Sequence, residues 1–269
     1  MTITINYALQ ACDIASNQCD KRYCSDSKTE VTIKCITSFL ASVKYVADAK
    51  KDTTHNVMIF DDKSSAEVVE FLTRAQQYFS TDNLNITVTR IHSSGIMDSI
   101  RTCWQWLGDQ TGDLVYQVQD DYLFTEDAIY QMIDMFMRIY TDVGAHSILT
   151  PFNDYYHWSA GGYRYRQTPR FVIPGDKQYW IQNYDIACTF MTSREEFNKH
   201  WDIYEKFLAM NPRGNDRGEL ENVTLNRIVV DRQVLGVMPM TSVALHMQSE
   251  AERDPYIDWQ ARWDAIPVV

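Results

Sequence analysis

The sequence predicts an α/β fold: a mostly parallel sheet with helices on both faces. Three observations predict it. Over the first 150 residues, short apolar runs alternate with longer stretches that carry an apolar stripe at helical spacing. Ser27 with Glu30, Ser64 with Glu67 and Ser193 with Glu196 stand where such stripes begin, spaced as capping boxes are. Two apolar runs end in paired carboxylates, Asp61-Asp62 and Asp120-Asp121, just before a helix.

Taken in order, strands are expected at 3–12, 55–61, 85–91, 113–119 and 146–150. Helices are expected at 28–48, 65–79, 96–108 and 126–140. Ile96, Ile100, Cys103, Trp104 and Leu107 hold one helical stripe, and Ile129, Met132, Ile133 and Phe136 hold another. After Pro151 the pattern breaks. Residues 151–180 mix Gly161, Gly162, Pro169, Pro174 and Gly175 with many Tyr and Arg, which reads as a long, lid-like loop. Regular structure resumes with a strand at 184–191, helices at 194–209 and 219–230, and strands within 234–246. The tail from Ser249 is polar, with Trp259 and Trp263 expected to pack along the surface.

A formal net charge of −11 argues against a nucleic-acid footprint, because phosphate backbones attract basic faces. Hydrophobic residues make up 45% of the chain, enough for a sizeable core. No stretch reaches the ~20 apolar residues of a membrane span. The N-terminal segment alternates like a strand and lacks a basic lead and a long apolar run, so a cytoplasmic location is expected. Cys12, Cys19, Cys24 and Cys35 cluster without a C-x-x-C pair, so a zinc site is not expected.

Asp120-Asp121 is the most informative pair. Carboxylates at the C-terminal edge of an open α/β sheet lie where such folds bind ligands. Two carboxylates side by side repel unless a cation intervenes, and hard oxygen donors suit a divalent ion that also holds phosphate. Asp61-Asp62 repeats the arrangement and reads equally as helix capping or as recognition of a base or ribose. His246 follows an apolar run and gains interest only beside a metal at Asp121. Glu221 lies early in a predicted helix, where a helix-start carboxylate and a general base look alike in sequence. Arg164, Arg166 and Arg170 reverse the sign of an acidic chain locally and suit diphosphates or acidic sugars. The P-loop, G-x-G-x-x-G, H-E-x-x-H and G-x-S-x-G motifs are all missing from the sequence.

These segments resemble nucleotide-sugar glycosyltransferases of the GT-A fold, and most closely their inverting, family-two-like group. The resemblance runs through most of residues 3–248. It rests on Val57 to Ser64 with its Asp-Asp-x-Ser turn, Gly95 to Trp106, Val115 to Tyr122 as a DXD-type segment, Glu221 to Arg227 as the acidic acceptor-side motif, and His246. It implies a GT-A type, Rossmann-like sheet with a smaller mixed acceptor-side region. Residues 1–150 would form the donor-binding half, 151–248 the acceptor-binding and catalytic half of the same domain, and 249–269 a tail. Asp13, Asp61, Asp62, Asp98 and Asp120 would contact the nucleotide. Asp121, with Asp120 and His246, would hold Mn²⁺ or Mg²⁺, and the three arginines would meet diphosphate or acceptor. The donor would be a UDP- or GDP-type sugar and the acceptor a carbohydrate or other hydroxyl compound. The family motif usually reads Glu-Asp, with the Asp often the base, and here that position is Asn222. An amide takes no proton, so Glu221, Glu219 or Asp185 would have to serve. Two alternatives stand beside transfer: a non-catalytic nucleotide- or carbohydrate-binding protein, and a sugar nucleotidyltransferase. The glycine-free turn after the first strand counts against the latter.

Overall fold

The computed structural model describes residues 2–14, 24–25, 27–153, 169–186, 189–210, 220–221, 223–232, 234–247 and 254–267. The first half alternates as expected: β1 (Ile3–Ala11), α1 (Lys28–Ala49), β2 (Thr53–Asp62), α2 (Ala66–Phe79), β3 (Leu84–Ile91), α3 (Ile96–Asp109) and β4 (Leu114–Gln119). A short β5 (Tyr122–Phe124), α4 (Ala128–Arg138) and β6 (Ser147–Leu149) follow. The second half holds β7 (Val172–Pro174), β8 (Tyr179–Gln182), β9 (Phe190–Ser193), α5 (Arg194–Lys199), α6 (Trp201–Ala209), α7 (Asn226–Asp231), β10 (Leu235–Pro239), β11 (Ala244–His246) and α8 (Trp259–Ala265).

Nine strands form one sheet in the order β3-β2-β1-β4-β9-β6-β10-β8-β7. The first four are parallel, and the other five run in mixed directions. Successive residues of a strand face opposite sides. Ile5, Tyr7 and Leu9 therefore enter the core under α1, α2 and α4, while Ala8 and Val115 enter the one under α3, α5 and α6. Burial on both faces explains why the strands read as continuous apolar runs.

Strand order turns back at β1: β2 and β3 lie on one side of it and β4 on the other. That switch point opens a crevice at the C-terminal strand ends, the usual ligand position in open α/β sheets. β5 and β11 leave the main sheet as a two-stranded antiparallel ribbon beside this crevice.

Several elements differ from expectation. The cap of α2 is Ser65, whose hydroxyl accepts from Val68 N–H, while the N–H of Ser64 is donated to Asp61. Of the expected strand at 184–191, Phe190 and Met191 open β9, while 184–186 are irregular, with asparagine side chains taking up the backbone groups of Asp185 and Ile186; residues 187–188 lie outside the described residues. The helix at 194–209 divides at His200, whose ring turns back to Glu196 Oε2 at 3.0 Å. Part of the expected long loop is the β7–β8 hairpin. At its tip Gly175 leaves room for Gln178 and Trp180, which a Cβ would meet at 2.7 and 2.9 Å. The tail is not a surface strap. In α8, Trp259 and Trp263 are buried against Val31 and Cys35 of α1 and Leu123 and Leu245 of the ribbon.

Candidate active site

The parallel strands deliver Asp13, Asp61, Asp62 and Asp120 to one edge of the sheet, and all four are buried. Each accepts hydrogen bonds from the chain itself. Asp13 joins two helix starts: it accepts from the Ser65 N–H at 2.7 Å, the Ser65 hydroxyl at 2.6 Å and the Thr29 hydroxyl at 2.7 Å. Burial opposes its ionisation, but these bonds outweigh that and lower its pKa. Asp61 accepts from Ser64 N–H at 2.9 Å, with Arg90 Nε at 3.6 Å. Asp62 takes both the N–H and the hydroxyl of Ser93. Asp98 lies exposed at the start of α3. The N–H of Ser94, at 2.9 Å, and then its hydroxyl lower its pKa.

Asp120 and Asp121 part company. Asp120 turns inward. Its Oδ1 meets Lys28 Nζ at 2.7 Å, and its Oδ2 accepts from Cys12 N–H at 2.8 Å and the Thr32 hydroxyl at 3.0 Å. The carboxylate thereby joins β1, β4 and the first turns of α1. Burial raises its pKa, Lys28 opposes that, and the neighbouring charge of Asp121 adds to it. Asp121 turns toward the ribbon, where its Oδ2 lies 3.5 Å from His246 Nε2. Pairing of His246 with Tyr122 fixes that approach, and the two rings stack at 4.6 Å and 9°.

The expected metal set is therefore only partly assembled. Asp121 and His246 meet, whereas Asp120 is engaged by Lys28. Among the described residues no group of three or more His, Cys, Asp or Glu is arranged to hold a metal ion. One carboxylate and one imidazole still fit a divalent ion that takes its remaining oxygens from phosphates and water.

Asp185 follows β8 and is held at three points. Asn183 Oδ1 accepts its N–H at 3.1 Å, Asn183 Nδ2 donates to its carbonyl, and Asn226 Nδ2 donates to its Oδ1 at 2.6 Å. Asn226, fully buried at the start of α7, also accepts from Ile186 N–H at 2.6 Å. Gly236 allows the crossing to lie on β10, since a Cβ there would stand 2.1 Å from the Asn183 carbonyl oxygen. Glu221 lies one turn before α7, its carbonyl accepting from Thr224 N–H at 3.3 Å. Arg170 precedes β7, the outermost strand, five strand spacings or about 24 Å along the sheet from β4. Glu219, Asn222, Arg164 and Arg166 lie outside the described residues.

Sequence reasoning missed Lys28, Asn183 and Asn226. Lys28 sits at the first position of a helix, where the helix dipole disfavours a cation. That misplacement was the available signal. A cleft of about 320 Å³ between Thr125, Gln131, Lys177 and Thr241 lies at the opposite end of the ribbon from Asp121. Its polar groups bind one another, as in the Lys177–Asp127 pair at 2.7 Å.

No protein-family model matches the chain, and no curated protein matches it in sequence. Solved structures do resemble it. UDP-glucose pyrophosphorylase complexed with UDP-glucose shares 10% identity over 98% of both chains, with a TM-score of 0.50. The fold is of the GT-A type. A putative glucose-1-phosphate thymidylyltransferase from Bacillus anthracis shares 15% identity over 93% of this chain and 92% of its own, with a TM-score of 0.46. TarS 1–349 from S. aureus shares 14% identity with a TM-score of 0.45, over 76% of this chain but only 50% of its own. No helix among the described residues is long and apolar enough to cross a membrane.

Proposed function

We propose that this chain is a transferase acting on nucleoside-diphosphate sugars, and that it moves the sugar to a hydroxyl acceptor, with inversion. The observation that carries this reading is the Asp121–His246 pair at the switch-point edge, 3.5 Å apart and beside four further aspartates. The GT-A type fold supports it. Asp121 and His246 are the residues that would hold Mn²⁺ or Mg²⁺, and such an ion offsets charge on a departing diphosphate. Asp13, Asp61 and Asp62 hold the edge loops in place through their serine and threonine partners. An ionised carboxylate accepts about four hydrogen bonds. Asp61, with one close N–H donor, keeps the most capacity for a base or ribose hydroxyl.

Nucleotidyl transfer is the second reading, since UDP-glucose pyrophosphorylase is matched end to end. The products separate the two. UDP-glucose and GDP-mannose are incubated with the chain and MnCl₂, first with water or a sugar acceptor and then with pyrophosphate. Release of UDP or GDP supports glycosyl transfer. Formation of UTP or GTP with the sugar 1-phosphate supports nucleotidyl transfer. Binding without either product supports a non-catalytic binder.

A further inference from the structure

We propose that the cleft at the far end of the β5–β11 ribbon binds a neutral saccharide and holds the inner sugars of an oligosaccharide acceptor; the acceptor role rests on the glycosyl-transfer reading above. Four parts of the chain meet around its 320 Å³. They are Thr125 after β5, Asp127 and Gln131 at the start of α4, Lys177 and Gln178 at the β7–β8 tip, and Thr241 between β10 and β11. The chemistry of the lining selects the ligand. Among the described residues it carries one cation and one carboxylate, Lys177 and Asp127, which pair at 2.7 Å and cancel. A second nucleotide or a free phosphate would find no spare counter-charge. One carboxylate without His or Cys is too few ligands for a divalent ion. Val243 and Ile257 are its apolar members, too small a share for a hydrophobic ligand. Amides and hydroxyls beside a small apolar patch match a sugar ring, whose hydroxyls both donate and accept and whose C–H groups are apolar.

The second line is that these groups are held in place with bonding capacity to spare. Gln178 Nε2 donates to Gln131 Oε1 at 2.9 Å, and Gln178 Oε1 accepts from Thr241 N–H at 2.8 Å. An amide nitrogen has two hydrogens and its oxygen two lone pairs, so Gln178 keeps one of each for a ligand. The Thr241 hydroxyl bonds none of the described residues. Lys177 Nζ lies over the Tyr45 and Tyr130 rings, 5.6 and 5.4 Å from their centroids, which anchors the hairpin tip. Groups fixed before binding lose little entropy on contact.

The third line is position. Thr125 N–H donates to the Val243 carbonyl at 2.8 Å, which carries the β5–β11 ladder into the cleft. Asp121 stands four residues earlier in the chain, about 13 Å at the usual strand rise. That exceeds the width of a sugar ring. A monosaccharide in the cleft would stop short of the Asp121–His246 edge, whereas a short chain of linked sugars along the ribbon would reach it.

The test uses the full chain with maltotriose, cellotriose, mannotriose and chitotriose, read by saturation-transfer NMR without nucleotide or metal. At least one should bind. Thr241→Val removes a hydroxyl and Gln131→Met removes the anchor of the Gln178 amide; each should weaken binding about three- to tenfold, the worth of one neutral hydrogen bond. Thermal unfolding of both variants checks that they fold, and their response to UDP or GDP with MnCl₂ should match that of the unaltered chain. In nucleotide-release assays the bound trisaccharide should show a KM at least about tenfold below that of its monomer, and Gln131→Met should narrow that gap with kcat unchanged. If none of the four trisaccharides binds, or if both variants bind like the unaltered chain, the cleft assignment is overturned. Equal KM values for trisaccharide and monomer overturn the acceptor role. A trisaccharide that binds and is weakened in both variants, on a chain that neither UDP nor GDP stabilises, leaves the cleft a saccharide site and defeats the glycosyl-transfer reading instead.

Discussion

The Lys28 ammonium lies 2.7 Å from Asp120 Oδ1, with both side chains about nine-tenths buried. A cation of the chain itself therefore neutralises one member of the acidic pair. Removing one partner of a buried pair leaves an uncompensated charge and costs about 3–5 kcal/mol, whereas neutralising both costs less. Lys28→Met should destabilise the fold by about 3 kcal/mol. Asp120→Asn, which keeps an acceptor for Cys12 N–H, should recover much of that in the double variant. Denaturant unfolding of the four proteins gives the coupling. A coupling energy near zero would show that the contact contributes nothing.

His55 makes stability depend on pH. It is buried in β2, with Tyr7 Oη at 2.9 Å from Nδ1 and Thr53 Oγ1 at 2.8 Å from Nε2. Burial lowers its pKa from 6.5 to about 4. Below pH 6.5 the unfolded chain takes up a proton that the folded chain refuses. Stability should thus be level above that pH and fall as pH drops toward 4, by on the order of 3 kcal/mol. His200, whose pKa burial also lowers, acts in the same direction. Urea midpoints from pH 7.5 to 4.5 measure the fall. His55→Gln should flatten it, and parallel curves for the two proteins would contradict the claim.

Gly236→Ala tests the close approach of β10 to the 183–186 crossing. A Cβ 2.1 Å from the Asn183 carbonyl oxygen must displace backbone, not a flexible side-chain end. Overpacking of this kind costs roughly 1–3 kcal/mol, and here the upper end is expected. Thermal unfolding should show the loss, and an unchanged midpoint would refute the packing described.

The parallel half of the fold was legible because its strands are buried on both faces and its helices carry regular stripes. Ile5, Tyr7 and Leu9 alternate with Ala8 between two cores, and Ser27 caps α1 where its motif stands. The mixed half was less legible because it depends on distant side chains. Asn183 and Asn226 replace strand pairing with amide bonds, and no local period reports a partner 41 positions away. The site follows the same division. Strand ends brought Asp13, Asp61 and Asp120 to one edge, as periodicity implied. What each carboxylate bonds is set by Ser65, Ser64 and Lys28, across 52, 3 and 92 positions. Of these only the Asp61–Ser64 turn is local.

The central claim is that Asp121 and His246 hold a divalent ion that holds a nucleoside diphosphate. A ligand that binds only the folded state raises its apparent stability. The most direct measurement is a thermal-shift titration of UDP and GDP, with MnCl₂ or with EDTA, on the unaltered chain and on Asp121→Ala. One of the two nucleotides should raise the melting temperature only with manganese present, and Asp121→Ala should abolish that rise. A shift of equal size in EDTA, unchanged in Asp121→Ala, would contradict the account.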